Sequence, residues 1–151
     1  MVFYPKNYKI VSGVGRSRYS LVAFDNALRN AGIGDFNLVK VSSIIPPNCH
    51  GAGSIDIEKG SILFTAYSSV TVSDGNRGKV GVAVALPSSC EESGVIFECS
   101  AEENPAEALR EMCEEAMQNR GKKEYDFQVC TAEVIGEEGY FLTAIAAVVL
   151  W

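Results

Sequence analysis

Asn37-Leu38-Val39-Lys40-Val41-Ser42-Ser43-Ile44-Ile45-Pro46-Pro47 starts as a strand and stops as a turn, with two adjacent serines at the join. Asn37 to Val41 alternates polar and apolar side chains, the period of a half-buried strand. The strand is expected to run on to Ser43. Pro46 and Pro47 lack the N–H that a sheet ladder needs, and Pro46 biases Ile45 toward an extended backbone. A serine pair held at a strand end, with the next residues kept extended, is a place where a backbone carbonyl can be held against a neighbouring hydroxyl.

Upstream, Tyr8 to Val14 reads as a strand, followed by Gly13-Val14-Gly15-Arg16-Ser17-Arg18 as a glycine-containing turn. This is half of a phosphate-binding glycine motif, but the third glycine and the lysine are missing, so a plain loop is expected. Ser20 is placed to cap a helix from Leu21 to about Asn30. Leu21, Phe24, Ala27 (or Leu28) and Ala31 recur at helical spacing and form its apolar face. Gly32 and Gly34 end it. Asp25 falls in mid-helix, too late to cap or to favour the helix dipole, and reads locally as a solvated side chain.

Downstream, 48–60 is loop-like, with Ser54 to Glu58 a candidate short edge strand. Ser61 to Val72 and Lys79 to Leu86 are β-prone runs flanking Asp74-Gly75-Asn76-Arg77-Gly78, and the pattern predicts an antiparallel hairpin. Pro87 to Ser93 is a loop and Gly94 to Ser100 a strand. Asn104-Pro105-Ala106-Glu107 is a strong helix start, and the helix continues to about Arg120 with Leu109, Met112, Cys113 and Ala116 on one face. Tyr125 to Ile135 and Tyr140 to Leu150 are two strands joined by Gly136-Glu137-Glu138-Gly139. The last is almost wholly apolar, so it is expected at the centre of a sheet, covered on both faces. Two helices and about seven strands joined by short turns imply an α+β fold with largely antiparallel sheets and helices packed outside.

The chain has 151 residues, 47% of them hydrophobic and 21% charged, which suits a single domain with a real core. Its net charge of −6 argues against nucleic acid as a partner and is compatible with a cationic small molecule. No apolar run is long enough to span a bilayer, and Met1-Val2-Phe3-Tyr4-Pro5-Lys6 lacks the features of a secretory signal, so no membrane partner and a cytoplasmic location are expected. The five cysteines are odd in number and form no C-x-x-C pair, unlike a zinc site or a disulfide framework. Cys113 and Cys130 read as buried free thiols. The single histidine, His50, cannot make a metal cluster alone and reads as an incidental loop residue.

The company of the serine pair adds to this. Phe24-Asp25-Asn26-Ala27-Leu28, Asn30-Ala31-Gly32-Ile33-Gly34, Asn37-Leu38 and Val41-Ser42-Ser43-Ile44-Ile45-Pro46-Pro47 together resemble the pyruvoyl-dependent arginine decarboxylases. Further matches are Thr65-Ala66-Tyr67, Ser73-Asp74, Val82-Ala83, Ala85-Leu86-Pro87, Gly94-Val95-Ile96-Phe97-Glu98 and Ala146-Ala147-Val148-Val149-Leu150-Trp151. The likeness is densest from Leu21 to Pro47.

The resemblance implies autocatalytic cleavage between Ser42 and Ser43, giving a β chain of residues 1–42 and an α chain of residues 43–151. Ser43 would attack the Ser42 carbonyl and end as a covalent pyruvoyl group, with no metal and no pyridoxal phosphate. Asn37 is implied as the donor to the oxyanion of that step. The pyruvoyl ketone would condense with the substrate α-amine and accept the electron pair released with CO2. Glu98 is implied as the proton donor to the α carbon, which calls for a raised pKa. Asp25 would bind the guanidinium, with the Ser42 carboxylate and the Gly34 backbone nearby and Leu21 against the methylene stem. The product would be agmatine, with polyamine synthesis and acid resistance both open as its purpose. The fold implied is an α-β-β-α sandwich, assembled as a trimer of αβ units with the pocket between neighbours. Two alternatives stand beside it: the same chemistry on another cationic amino acid such as histidine, and an uncleaved, non-catalytic trimer that binds a cationic ligand.

Overall fold

The computed structural model describes residues 1–42, 44–101 and 103–151. The elements run β1 (Asn7–Ser17), α1 (Ser20–Asn30), β2 (Asn37–Lys40), β3 (Ile44–Ile45), β4 (His50–Gly51), β5 (Ile62–Val72), β6 (Arg77–Pro87), β7 (Gly94–Ala101), α2 (Pro105–Asn119), β8 (Tyr125–Ile135) and β9 (Phe141–Leu150). One sheet has the order β2-β5-β9-β1-β4 and the other β3-β7-β6-β8. Pairing is antiparallel except where the short edge strands β2 and β4 lie parallel to β5 and β1. No helix among the described residues is long and apolar enough to cross a membrane.

The two sheets pack face to face and each carries a helix outside, giving an α-β-β-α sandwich. Strand β9 shows why. Its alternate residues Ala144, Ala146, Val148 and Leu150 enter the core between the sheets, with Val80, Val82, Val84 and Ile96 from the second sheet. The intervening Ile145, Ala147 and Val149 meet Ala27, Leu28 and Ala31 of α1. A strand apolar at both parities needs cover on both faces, and the centre of the first sheet provides it. On the far side, Leu109, Cys113 and Met117 of α2 cover Ala83, Ala85 and Val95. Asn104 accepts the Glu107 N–H at 3.4 Å, the N-terminal cap read from the sequence.

Several local readings are corrected. Gly13 and Gly15 belong to β1 rather than to a turn, and α1 explains them. A Cβ on Gly13 would lie 2.4 Å from the Ala27 carbonyl oxygen, and one on Gly15 would lie 2.3 Å from that of Ala23. The glycines let helix and strand backbones approach. They also turn the small face of α1 inward, so Ala23, Ala27 and Leu28 are buried while Leu21 is 83% exposed. Ser20 is the first helical residue and does not cap; Tyr19 stands at the cap, its N–H donating to Ser17 Oγ. Strand β2 stops at Lys40, short of Ser43. In place of a strand at Ser54 to Glu58, the edge strand is His50–Gly51, while Ile55 and Ile57 pack into the α1 side of the sheet. In α2, Met117 is buried and Met112 exposed. Cys113 is buried, whereas Cys130 is only partly so.

The largest correction concerns connectivity. Strands β5 and β6 do not pair; they lie in different sheets. Asp74 (φ 50°) and Gly75 (φ 80°) adopt the backbone of a tight hairpin turn, yet the chain passes from one sheet to the other. The same holds for β8 and β9. Nine strands, not seven, are present among the described residues.

Candidate active site

Three residues separate β2 from β3, and in them the chain leaves one sheet for the other. The Val41 N–H donates to the Thr65 carbonyl at 3.1 Å, the last rung on the β5 side. Ile44 then lies opposite Val95 and Ile45 opposite Gly94 on β7. Strands β2 and β3 are the edges of their sheets, so this crossing closes one side of the sandwich. Ser42 is exposed on it. Ser43, the residue expected to be processed, lies outside the described residues.

Glu98 stands beside the crossing. It pairs in register with Val82 of β6, so it shares the inward face on which Val82 and Ile96 are buried. The register of β3 brings the incoming chain from the Glu98 end of β7. Glu98 is half-buried and has no hydrogen bond or ion pair among the described residues. Burial pushes its carboxyl above the usual carboxylate range, and the Lys40 charge opposes this in part.

Lys40 connects the crossing to α1. Its Nζ lies 4.7 Å from the centroid of the Tyr67 ring, and Tyr67 in turn lies 6.4 Å from Phe24. The sequence reading passed over Lys40 and gave Tyr67 no role. The signal is in the alternation of β2, which puts Leu38 and Lys40 on one face.

The remaining predicted residues lie elsewhere in the chain. Leu21 and Asp25, one helical turn apart on α1, are both exposed. The Asn37 amide donates to the Gly60 carbonyl at 2.9 Å. Asn37 precedes Ser42 by five residues of extended chain, about 17 Å, beyond the reach of an amide side chain. Gly34 lines a cavity of about 360 Å³ with Lys9, Arg29, Asp35 and Lys59, and neither Ser42, Glu98 nor Asp25 lines it. One chain therefore assembles Ser42, Lys40 and Glu98 and leaves Asn37 apart from them, while Leu21 and Asp25 lie on α1, whose Phe24 meets the Tyr67 ring under Lys40.

The family model for pyruvoyl-dependent arginine decarboxylase matches residues 7–151. The chain belongs to that family. A protein of Methanopyrus kandleri named pyruvoyl-dependent arginine decarboxylase is 36% identical over 151 residues, covering 97% of each chain. One of Methanococcus aeolicus with the same name is 38% identical over 157 residues, covering 97% of this chain and 90% of its own. Pyruvoyl-dependent arginine decarboxylase 2 of Archaeoglobus fulgidus is 36% identical over 156 residues, covering 99% of this chain and 98% of its own. The match spans every element of this pyruvoyl-dependent arginine decarboxylase family member, from β1 to β9, so it takes in both the serine crossing and Glu98. The chain is accordingly an enzyme of this family.

Proposed function

We propose that the chain cuts itself between Ser42 and Ser43 and then decarboxylates L-arginine to agmatine and CO2 with the pyruvoyl group derived from Ser43. The observation that carries this is the half-buried Glu98 carboxyl, without a partner among the described residues, beside the crossing that bears Ser42. The family and the names of its relatives supply the substrate class.

In the cut, the Ser43 hydroxyl oxygen bonds to the Ser42 carbonyl carbon while its proton goes to the amide nitrogen. The C–N bond breaks and an ester replaces the amide. Loss of the Ser43 α proton then expels the Ser42 carboxylate from the Ser43 β carbon, which breaks the chain. Water removes the α nitrogen of the dehydroalanine left at 43 as ammonia, leaving a ketone. Serine is needed at 43 because its oxygen both attacks and departs. Residue 42 contributes its carbonyl and keeps the new carboxylate.

The two pieces would stay together. Residues 1–42 include β1, paired with β9 from Tyr8–Leu150 to Ser17–Phe141, and β2, paired with β5. Tyr4 also donates to the Pro47 carbonyl at 2.7 Å, across the break.

The ketone, once made, supplies an electron sink for the pair released with CO2. Glu98 holds the proton destined for the α carbon, and its burial raises the fraction protonated near neutral pH. Asp25 takes the guanidinium through two parallel hydrogen bonds. Leu21 packs on the substrate's methylenes, and the Gly34 backbone and Ser42 carboxylate complete the pocket. Asn37 donates to the oxyanion of the cut. Because Asn37 lies away from Ser42 in its own chain, its role calls for a second copy, and a trimer with pockets between neighbours is the assembly proposed. Exposed Leu21, Val22, Val39, Ile44 and Ile62 around α1 and the two edge strands suit such a contact.

Mass spectrometry of the purified protein tests the reading. Two fragments are expected, with the 43–151 piece lighter by one ammonia than the sequence requires, and arginine converted to agmatine. An intact chain that still releases CO2 from arginine overturns it. An intact, inactive chain that binds arginine supports the non-catalytic alternative, and histidine turnover in place of arginine turnover reassigns the substrate.

A further inference from the structure

The crossing acquires a charge when it is cut, and Lys40 is already beside it. Val41 packs into the core between the sheets, while Leu38 packs on the α1 side. Alternation therefore sets Leu38 and Lys40 on the α1 face, and exposed Ser42 follows Lys40 by two residues, at most about 7 Å along the chain. The Lys40 ammonium rests over the Tyr67 ring at 4.7 Å. That contact with a neutral ring is weaker than one with a carboxylate, and the four-carbon stem of lysine lets the head move between them.

We infer that Lys40 is a positioning residue whose ammonium is the counter-charge for the carboxylate that cleavage leaves on Ser42. This inference rests on the cut proposed above. A free α-carboxyl titrates near pH 3.5, so the new group is ionised wherever the enzyme works. Left unpaired, it would be mobile at a frayed strand end and would place a second negative charge beside Glu98. Paired with Lys40, it is held along β2 and its field at Glu98 is largely cancelled.

The surroundings of Glu98 leave Lys40 alone in this role among the described residues. In the core between the sheets, β5 carries Phe64 and Ala66, β9 carries Ala146 and Val148, and β6 carries Val82, none of them ionisable, while β8 adds the Cys130 thiol in register with Val82 and β1 the Tyr8 phenol, neither of them a cation. Cys99 adjoins it in sequence; burial raises that thiol first, and the Glu98 charge raises it further. Lys40 is the cation that acts on Glu98.

The test compares Lys40→Met and Lys40→Arg with the wild type, after mass spectrometry has established the cut in each. Lys40→Met is expected to cleave fully, to raise KM for arginine about fivefold as the carboxylate loses its place, and to move the high-pH limb of kcat upward by about half a unit or more. The upward sign follows because removing a cation and unmasking an anion both favour protonated Glu98. Lys40→Arg is expected to restore both values. A Lys40→Met enzyme that is cut and keeps the wild-type KM and pH profile overturns the inference alone. Equal losses in Met and Arg variants with no shift of the limb indicate a packing role and also overturn it. A wild-type protein found uncut defeats the underlying reading instead. Should Lys40→Met fail to fold, Lys40→Gln read by the same profile decides the matter.

Discussion

Two of the stretches that carry the chain between the sheets treat a nearby glutamate in opposite ways. Between β8 and β9 the crossing is fastened at Gly136, Glu137 and Tyr140. Gly136 exchanges backbone hydrogen bonds with the 75–76 turn, at 3.1 Å to Gly75 and 2.6 Å to Asn76, and lies so close to Ser73 that a Cβ would collide with its carbonyl. Arg16 holds Glu137 through two hydrogen bonds of 2.8 Å and stacks 3.4 Å from the centre of the Tyr140 ring. The Arg16 hydrogen bond keeps the Glu137 carboxyl below its ordinary range. Between β2 and β3 there is one rung at Val41, a two-residue strand, and Glu98 with no partner among the described residues. Its carboxyl is pushed the other way by burial. A crossing that only joins sheets pairs its charges. A half-buried carboxyl with no partner among the described residues opposes folding, and that supports the second crossing as the proposed site.

Removing the hydroxyl at the second crossing should have the largest effect. Ser43→Ala has no nucleophile for the cut and should run as a single band on a denaturing gel, with arginine decarboxylation at background. Two bands would break the contrast, because the crossing would then open without its serine. Glu98→Gln should come next. It should still run as two bands while kcat falls about 10²- to 10⁴-fold, the range for a lost general acid. Its melting should also carry the sign of a raised pKa. Such a group contributes stability that is fully present below its unfolded pKa and is lost as pH rises through the folded value. Glu98→Gln should therefore melt above the wild type at neutral and alkaline pH, with the gap closing toward the ordinary glutamate range. Wild-type kcat in a folded, cut Glu98→Gln protein would remove Glu98 from the acid role.

Asp25→Asn probes the part of the site that lies on neither crossing. A charged, bidentate contact is worth about 1.5–3 kcal/mol, so KM for arginine should rise roughly 10- to 100-fold with cleavage complete. An unchanged KM would place the guanidinium elsewhere.

The difference between the crossings was only partly legible in the sequence. The apolar run of β9 and the Asn104-Pro105 start of α2 are local signals, and both were read correctly. Which sheet a strand joins is not local. Asp74-Gly75 has hairpin chemistry, but Gly78 packs against Val70 and Val72 across a sheet switch that the turn residues do not record. Gly13 and Gly15 read as a turn because the helix that makes them necessary arrives only with the tertiary fold. In the site, resemblance singled out Ser42, Ser43 and Glu98. Lys40 escaped because a lysine on an edge strand is ordinary, and its place over Tyr67 depends on the parallel pairing of β2 with β5.

The smallest effect is expected at the fastened crossing, and its sign is the most informative. Glu137 is about half exposed, as is Arg16, so their ion pair is screened by salt and is worth little. Its lowered carboxyl pKa means that its contribution is present above the unfolded pKa and is lost as pH falls through the folded value. Glu137→Gln should therefore melt slightly below the wild type at neutral pH in low salt. The two curves should merge in about 1 M salt and again at acid pH, where Glu137 is protonated in both states. Arg16 keeps its stack on Tyr140, which limits the loss further. Cleavage and kcat should be unchanged. Glu137→Gln and Glu98→Gln make the same chemical change, yet one should lower the melting temperature and the other raise it. If both shift it in the same direction, pairing is not what separates the crossings, and the lack of a Glu98 partner among the described residues loses its value as a pointer to the site.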